Sequence, residues 1–250
     1  MFQFAFGLAA STRLRTDFAM NDELLRPVFR LGAWQSPSRR ISRSVRFHLS
    51  KRFSPAPTLK VENTDDPDVA LAKLADRIHY VGFFQSVRYF EEVEPLVREA
   101  FEPHRRHVER FRSRYADLPP YVCCHVRRTD YLESGWALPV SFYEDCIPLA
   151  RASPEMPVVF VGDDLDEPRR AFDGRPGFRF ERNDEILDLQ LIVNAAAVVT
   201  SNSSFGWWGS WLGPPGRPVY APRHWLGFRA GADNPHSVIP PGWHEITVRE

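Results

Sequence analysis

The chain has 250 residues, 43% hydrophobic and 26% charged, which is enough apolar material for one large domain or two small ones. Its 32 Lys and Arg balance 32 Asp and Glu, which argues against a generic nucleic-acid binder, a class that is usually basic. Three cysteines, two of them adjacent at Cys123 and Cys124, make no disulfide framework and fit a reducing compartment, and no apolar run is long enough to span a bilayer.

The chain opens on Met1–Ala10, an apolar segment of helical character. An α/β protein normally opens with a buried strand, and none precedes this segment, so the chain is expected to lack its first strand. Arg13–Phe18 alternates and predicts a short strand. Charge is uneven: the first 52 residues hold ten Lys and Arg against three Asp and Glu, and the remainder is acidic. The basic excess lies in Ser36–Pro57, where Ile41, Val45 and Leu49 recur at spacing four. That stretch reads as a solvated segment packing three aliphatics on its own domain, in preference to a weak peripheral helix on an anionic membrane, because its apolar face is small.

Residues 62–68 read as a surface loop, and Ile78–Ser86 as a buried strand running into a loop. Arg88–Tyr115 is helical in pattern and is broken or kinked at Pro95 and Pro103. Leu118-Pro119-Pro120 punctuates the chain and separates an expected N-terminal domain, 1–117, from a C-terminal one, 118–250.

From there strands and helices alternate. Tyr121–Val126 reads as a strand, and Ser141-Phe142-Tyr143-Glu144 as a capping box opening a helix to about Ala152. Pro157–Val161 is a buried strand ending at Gly162-Asp163-Asp164, and Phe178–Phe180 is a short one. Asp184 begins a helix, Ala197–Thr200 is the next strand, and Pro218–Ala221 reads as the last. Between these two strands, Ser201–Trp211 reads as a turn followed by a helix that Ser203 or Ser204 can cap. This pattern predicts an α/β fold with a parallel sheet covered on both faces, and ligands bind such sheets at the carboxyl ends of the strands. The polar clusters His125–Asp130, Gly162–Asp164 and Ser201–Ser204 all fall there.

The strongest cluster is His125-Val126-Arg127-Arg128-Thr129-Asp130-Tyr131. A strand end offering two guanidiniums beside the free N–H groups of a neighbouring helix suits a diphosphate. Charged hydrogen bonds contribute about 1.5–3 kcal/mol each, so two arginines and a helix N-terminus could support departure of a diphosphate without a metal. Asp164 and Asp166 have the Asp-x-Asp spacing of a metal-dependent sugar-nucleotide site, which keeps a metal-using transferase open as a rival. Asp163 or Asp164 is otherwise expected to accept from nucleoside hydroxyl or base N–H groups. Cys123 and Cys124 read as inert core, Trp207, Trp208 and Trp211 as core or sugar-stacking, and Trp225 as a weaker candidate for acceptor contact.

His125–Tyr131 resembles the His-x-Arg-Arg-x-Asp hallmark of the α-1,2-fucosyltransferases, and Ser201–Leu212 the second motif of their bacterial members. Val81–Ser86 with Tyr89-Phe90 is similar to their middle-region signature, and Leu138–Tyr143 and Ala221–Trp225 follow in the same order. The resemblance implies a GT-B-like architecture of two Rossmann-type domains with parallel sheets. It implies inverting transfer of L-fucose from GDP-L-fucose to the 2-hydroxyl of a terminal β-galactoside in a glycan, with no metal or other cofactor. It places the chain in the cytoplasm or at the inner face of the membrane. By position, Arg128 would hold the diphosphate with Arg127, and His125 and Asp164 would contact the nucleoside, with Asp163 beside them. Asn202, Ser203, Ser204 and Phe205 would meet the donor around the helix start. Asp130 would orient the arginines, contact ribose, or serve as the otherwise unnamed base. The family's Gly-rich loop, which follows a first strand, is absent before Met1, so an inactive GDP- or glycan-binding relic stays open beside the enzyme.

Overall fold

In the computed structural model, residues 1–18, 20, 22–31 and 56–249 are described. Ile41, Val45 and Leu49, on which the basic-helix and membrane readings rest, lie outside the described residues. The chain divides into two compact units. The first is Met1–His104 with Asn234–Val238, and the second is Arg105–Asp233 with Ile239–Glu250.

In the first unit, α1 (Phe2–Leu14) is helical as its apolar run predicts. The expected strand at Arg13–Phe18 is not formed. The helix runs on through Leu14 and stops where Arg15 turns left-handed, at φ 50°, its N–H reaching back to Ser11 and Thr12. Phe18 then folds against α1, where Gly7 leaves room for it: a Cβ there would lie 2.4 Å from the Phe18 ring. Aromatic contacts fill the unit, with Phe6 stacked on Phe84 at 3.9 Å and Phe4 against Phe101 at 5.4 Å. Strand β1 (Thr58–Lys60) pairs in parallel with β2 (His79–Val81), and α2 (Pro67–Ala72) connects them, capped by Asp66. β2 is not the buried strand expected. It is three residues long in a two-stranded sheet, and only its central Tyr80 is partly covered. The helical run after Arg88 is divided into two short 3-10 turns, then α3 (Glu94–Ala100), with Pro95 in its first turn; beyond Pro103 it resumes as α4 (Arg105–Arg114), which belongs to the second unit. Ser86, fully buried, donates its hydroxyl to Ser237 O at 2.7 Å, tying the 234–238 segment into this unit.

The second unit is built on a six-stranded, all-parallel sheet in the order β5-β4-β3-β6-β7-β8, the α/β fold expected. Its strands are β3 (Val122–Val126), β4 (Val158–Gly162), β5 (Phe178–Phe180), β6 (Ala197–Val199), β7 (Val219–Pro222) and β8 (His244–Ile246). Side chains alternate across it: Val122, Cys124, Val126 and Phe160 join one layer, Cys123, Val159 and Val161 the other. Burying each such valine fully contributes about 1.5–3 kcal/mol. The adjacent cysteines therefore face opposite layers, and burial pushes both thiols up, leaving them inert.

The connecting helices are α5 (Thr129–Glu133), α6 (Val140–Ala150), α7 (Asp166–Ala171), α8 (Glu185–Val193) and α9 (Ser204–Leu212). Asp184 caps α8 through the Leu187 N–H, as predicted. The capping box at Ser141 does not form. α6 starts two residues earlier, with Pro139 at its N-cap position, and the Ser141 hydroxyl donates to Arg249 O at 2.8 Å instead. β8 extends the sheet beyond β7, which was expected to be the last strand. His244-Glu245-Ile246 lacks an apolar run because it is the mostly exposed edge.

Candidate functional site at the carboxyl ends of β3, β4 and β6

β3 and β4 come very close where they end. At Gly162, φ is 153° and a Cβ would sit 2.0 Å from Val126 O, so only glycine passes. This brings Asp163 under the Arg127-Arg128 loop. Asp163 accepts the Arg128 backbone N–H at 2.8 Å and the Thr129 hydroxyl at 2.6 Å, and pairs with Arg127 at 3.2 Å. Burial works to raise its pKa, but these hydrogen bonds and the guanidinium outweigh it and hold the carboxyl below its usual range. Arg127 also pairs with Asp130 at 2.8 Å and lies over the Tyr131 ring at 5.7 Å.

Arg128 projects from the N-cap position of α5, with its side chain only 12% exposed. Its guanidinium faces Asp164 at 3.7 Å, donates to Leu138 O at 3.4 Å, and forms an ion pair with Glu167 on α7. Its buried Nε makes no hydrogen bond. The two arginines thus stand among four carboxylates: Asp130, Asp163, Asp164 and Glu167.

The neighbouring strand β6 delivers Ser201, whose N–H reaches His125 O at 3.1 Å and whose hydroxyl lies 2.9 Å from His125 Nδ1. Tyr143 donates its hydroxyl to the same His125 carbonyl at 3.0 Å. His125 is 3% exposed, and burial lowers its pKa to about 4, so the imidazole is neutral at pH 7. Gly206 on α9 makes room for this arrangement: a Cβ there would lie 2.3 Å from Thr200 Oγ1 and 2.6 Å from His125 Nδ1. Asn202 is 1% exposed and donates to Trp136 O at 2.9 Å, while Tyr131 donates to Asn202 O at 3.3 Å. Ser203 caps α9 by accepting the Phe205 N–H at 3.3 Å. The first turn of α9 holds no acidic side chain, so its positive end is not neutralised locally. Ser204 is exposed there and Phe205 half-buried. Behind them Trp207, Trp208 and Trp211 are buried, the core reading of the two. Trp225 is 1% exposed and presents no face to an acceptor, contrary to that weaker expectation.

The structure therefore gathers Arg127, Arg128, Asp130, Asp163 and Asp164 at one strand-end cluster and links His125, Asn202, Ser203, Ser204 and Phe205 to the adjacent one. Asp166 makes no contact with these arginines: its N–H donates to Asp164 Oδ1 at 3.0 Å and its carboxylate pairs with Arg182 at 3.2 Å. Among the described residues, no group of three or more His, Cys, Asp or Glu could hold a metal ion. Sequence reading missed Glu167, and it placed Thr129 and Ser201 within the polar clusters without giving either a role. Glu167 stands three residues after Asp164, a spacing that gains meaning only once α7 is known to start at Asp166.

One protein family, Glycosyl transferase family 11, matches residues 61–223, well over half of the chain. The chain is 30% identical over 148 residues to an α-1,2-colitosyltransferase of Escherichia coli, covering 54% of this chain and 51% of that protein. It is 27% identical over 114 residues to the O-antigen biosynthesis glycosyltransferase WbnK of Escherichia coli, covering 41% of this chain and 38% of that one. The matches span about half or less of the length of these curated relatives. Among solved structures, the chain is similar to the fucosyltransferase NodZ from Bradyrhizobium, at 13% identity and a TM-score of 0.49, over 85% of this chain and 87% of that one. The motif resemblance and the family match agree: the chain belongs to glycosyl transferase family 11.

Proposed function

We propose that this chain transfers L-fucose from GDP-L-fucose to the 2-hydroxyl of a terminal β-galactoside in a surface glycan, with inversion and without a metal, on a GT-B-like scaffold. The observation that carries the reading is the pairing of Arg127-Arg128 with the uncompensated N-terminus of α9. They follow the carboxyl ends of strands β3 and β6, neighbours about 4.8 Å apart in the sheet. A leaving diphosphate gains negative charge as its bond to the sugar breaks. A pre-aimed donor contributes about 2.7–4 kcal/mol to a transition state of that kind.

In this reading Arg128 and Arg127 grip the diphosphate, and the Ser204 and Phe205 end of α9 receives one of its phosphates. Asp163 holds the arginine loop in place, and Asp164 reaches the nucleoside. Asp130, bonded to Arg127, orients that guanidinium. His125 acts through Ser201, setting the turn that aims α9. Metal independence is supported by the occupied state of the carboxylates: Asp163, Asp164 and Asp166 each face an arginine.

Incubation with GDP-L-fucose and a panel of galactosides, followed by linkage analysis of the product, tests the proposal. The expected product is an α-1,2-fucosylated galactoside formed equally well in EDTA. The Arg128→Ala variant is expected to lose transfer and to bind GDP about 10- to 100-fold more weakly, as befits a charged hydrogen bond. Restoration of EDTA-suppressed activity by manganese would favour the metal-dependent rival. A second reading, colitosyl transfer, is favoured by the 30% identity to the α-1,2-colitosyltransferase. Colitose is L-fucose without its 3-hydroxyl, so competing the two GDP-sugars separates these readings.

A further inference from the structure

Inverting transfer needs a group to take the proton of the attacking hydroxyl, and the carboxylates of the arginine cluster are already committed to guanidiniums. A different strand end offers one. β7 ends at Pro222, and the next residues turn through His224 at φ 63° and Trp225 at φ 53°, two consecutive left-handed residues that are not glycine. Each such residue costs of order 1–3 kcal/mol, and strain of this kind persists only where the surroundings enforce it.

Here they do. The Arg223 N–H is tied to Ile246 O at 2.8 Å and the Trp225 N–H to Pro222 O at 3.1 Å, while the Trp225 side chain is buried. The Gly227 N–H bonds His224 O at 2.8 Å, and a Cβ at Gly227 would lie 1.8 Å from Ala232 O, so the loop is closed tightly on itself. Arg229 donates to Gly135 O, fastening the loop to the segment that follows α5. The charged side chains of the loop are Arg223, Arg229 and Asp233, and Asp233 is bonded to the imidazole: His224 Nδ1 lies 2.7 Å from Asp233 Oδ1. That contact places the proton on Nδ1 and leaves Nε2 with its lone pair. Nε2 makes no hydrogen bond among the described residues, and the side chain is 31% exposed.

We propose that His224 is the general base of the transfer, held and charge-compensated by Asp233. The inference rests on the glycosyltransferase reading above. β3, β6 and β7 are successive strands, so their ends stand about 4.8 Å apart and the His224 strand end is about 10 Å from the arginines, a span that a diphosphate and its sugar can bridge. In the step, the acceptor oxygen forms a bond to the anomeric carbon of the donor sugar. The bond from that carbon to the β-phosphate oxygen breaks, and its electron pair leaves with GDP. The acceptor proton passes to His224 Nε2, giving an imidazolium paired with Asp233, which then returns the proton to water.

The test compares the full chain with His224→Asn, a residue that tolerates the left-handed backbone, and with Asp233→Asn. His224→Asn is expected to lower kcat by about 10²- to 10⁴-fold while GDP affinity stays within about twofold. Asp233→Asn is expected to slow transfer less, and free imidazole to restore part of the rate to His224→Gly. Near-wild-type turnover in His224→Asn, or an equal loss of GDP binding, overturns the role. A wild-type chain that binds GDP yet transfers no sugar defeats the parent reading, and the base falls with the reaction it serves.

Discussion

Glu167, from the first turn of α7, is ion-paired with Arg128, the guanidinium proposed to grip the donor diphosphate. An incoming diphosphate and this carboxylate compete for the same N–H groups. Removing the charge while keeping the shape, in Glu167→Gln, is expected to tighten GDP binding by about 5- to 20-fold, or about 1–2 kcal/mol. Calorimetric titration with GDP reads this directly. Weaker binding in the variant would mean that Glu167 aims Arg128 instead of competing for it.

The acid stability of the chain is expected to reflect two buried groups with opposite signs. Burial lowers the pKa of His125 to about 4, against about 6.5 in an unfolded chain. Between those values the unfolded chain holds more protons, so His125 removes stability as pH falls from about 6.5 to 4. Burial raises Asp188 to about 6, against about 3.9 unfolded. Over that window the folded chain holds more protons, so Asp188 removes stability as pH rises. Each effect amounts to roughly 3 kcal/mol at full extent. Asp188→Asn should therefore uncover a Tm that drops steadily from pH 6.5 to 4.5. His125→Gln should uncover the reverse slope, and the wild type should be flatter than either. Parallel slopes in all three proteins would refute the assignment.

Gly206 is expected to be among the least replaceable residues of α9. Its missing side chain is the space occupied by Thr200 Oγ1 and His125 Nδ1, both on fully or nearly fully buried residues. Gly206→Ala places a methyl inside those contacts, and overpacking of this kind costs about 1–3 kcal/mol. The change should also push His125 off Ser201 and so misdirect the start of α9. Thermal melts and GDP titration should therefore decline together. A lower Tm with unaltered GDP affinity would separate the packing role from the aiming one.

Much of the second unit was legible because fully buried parallel strands write themselves as short apolar runs, as at Val158–Gly162 and Ala197–Val199. The site was legible as far as its residues adjoin strand ends: Arg127, Arg128, Asp163 and Ser203 all do. What escaped depended on chain geometry that no local pattern carries. Arg13–Phe18 alternates over too few residues to outweigh a helix already running. Ser141 has the partners of a capping box, but Pro139 already fixes the helix start. β8 is an edge whose burial comes from one side, so its residues look like loop. Glu167 meets Arg128 across 39 positions, and the pairing of His224 with Asp233 depends on a loop closed at Gly227.

The short return of Asn234–Val238 to the first unit has a consequence for how the protein is made. The ribosome releases the first 104 residues long before it reaches Asn234, yet the buried Ser86 hydroxyl has its acceptor on Ser237. Until then that hydroxyl, and the Asn63 carbonyl that later accepts from His236, must be served by water. The first unit to be synthesised is thus the last to be finished, and cutting the chain between His104 and Arg105 would leave it without its closing strap.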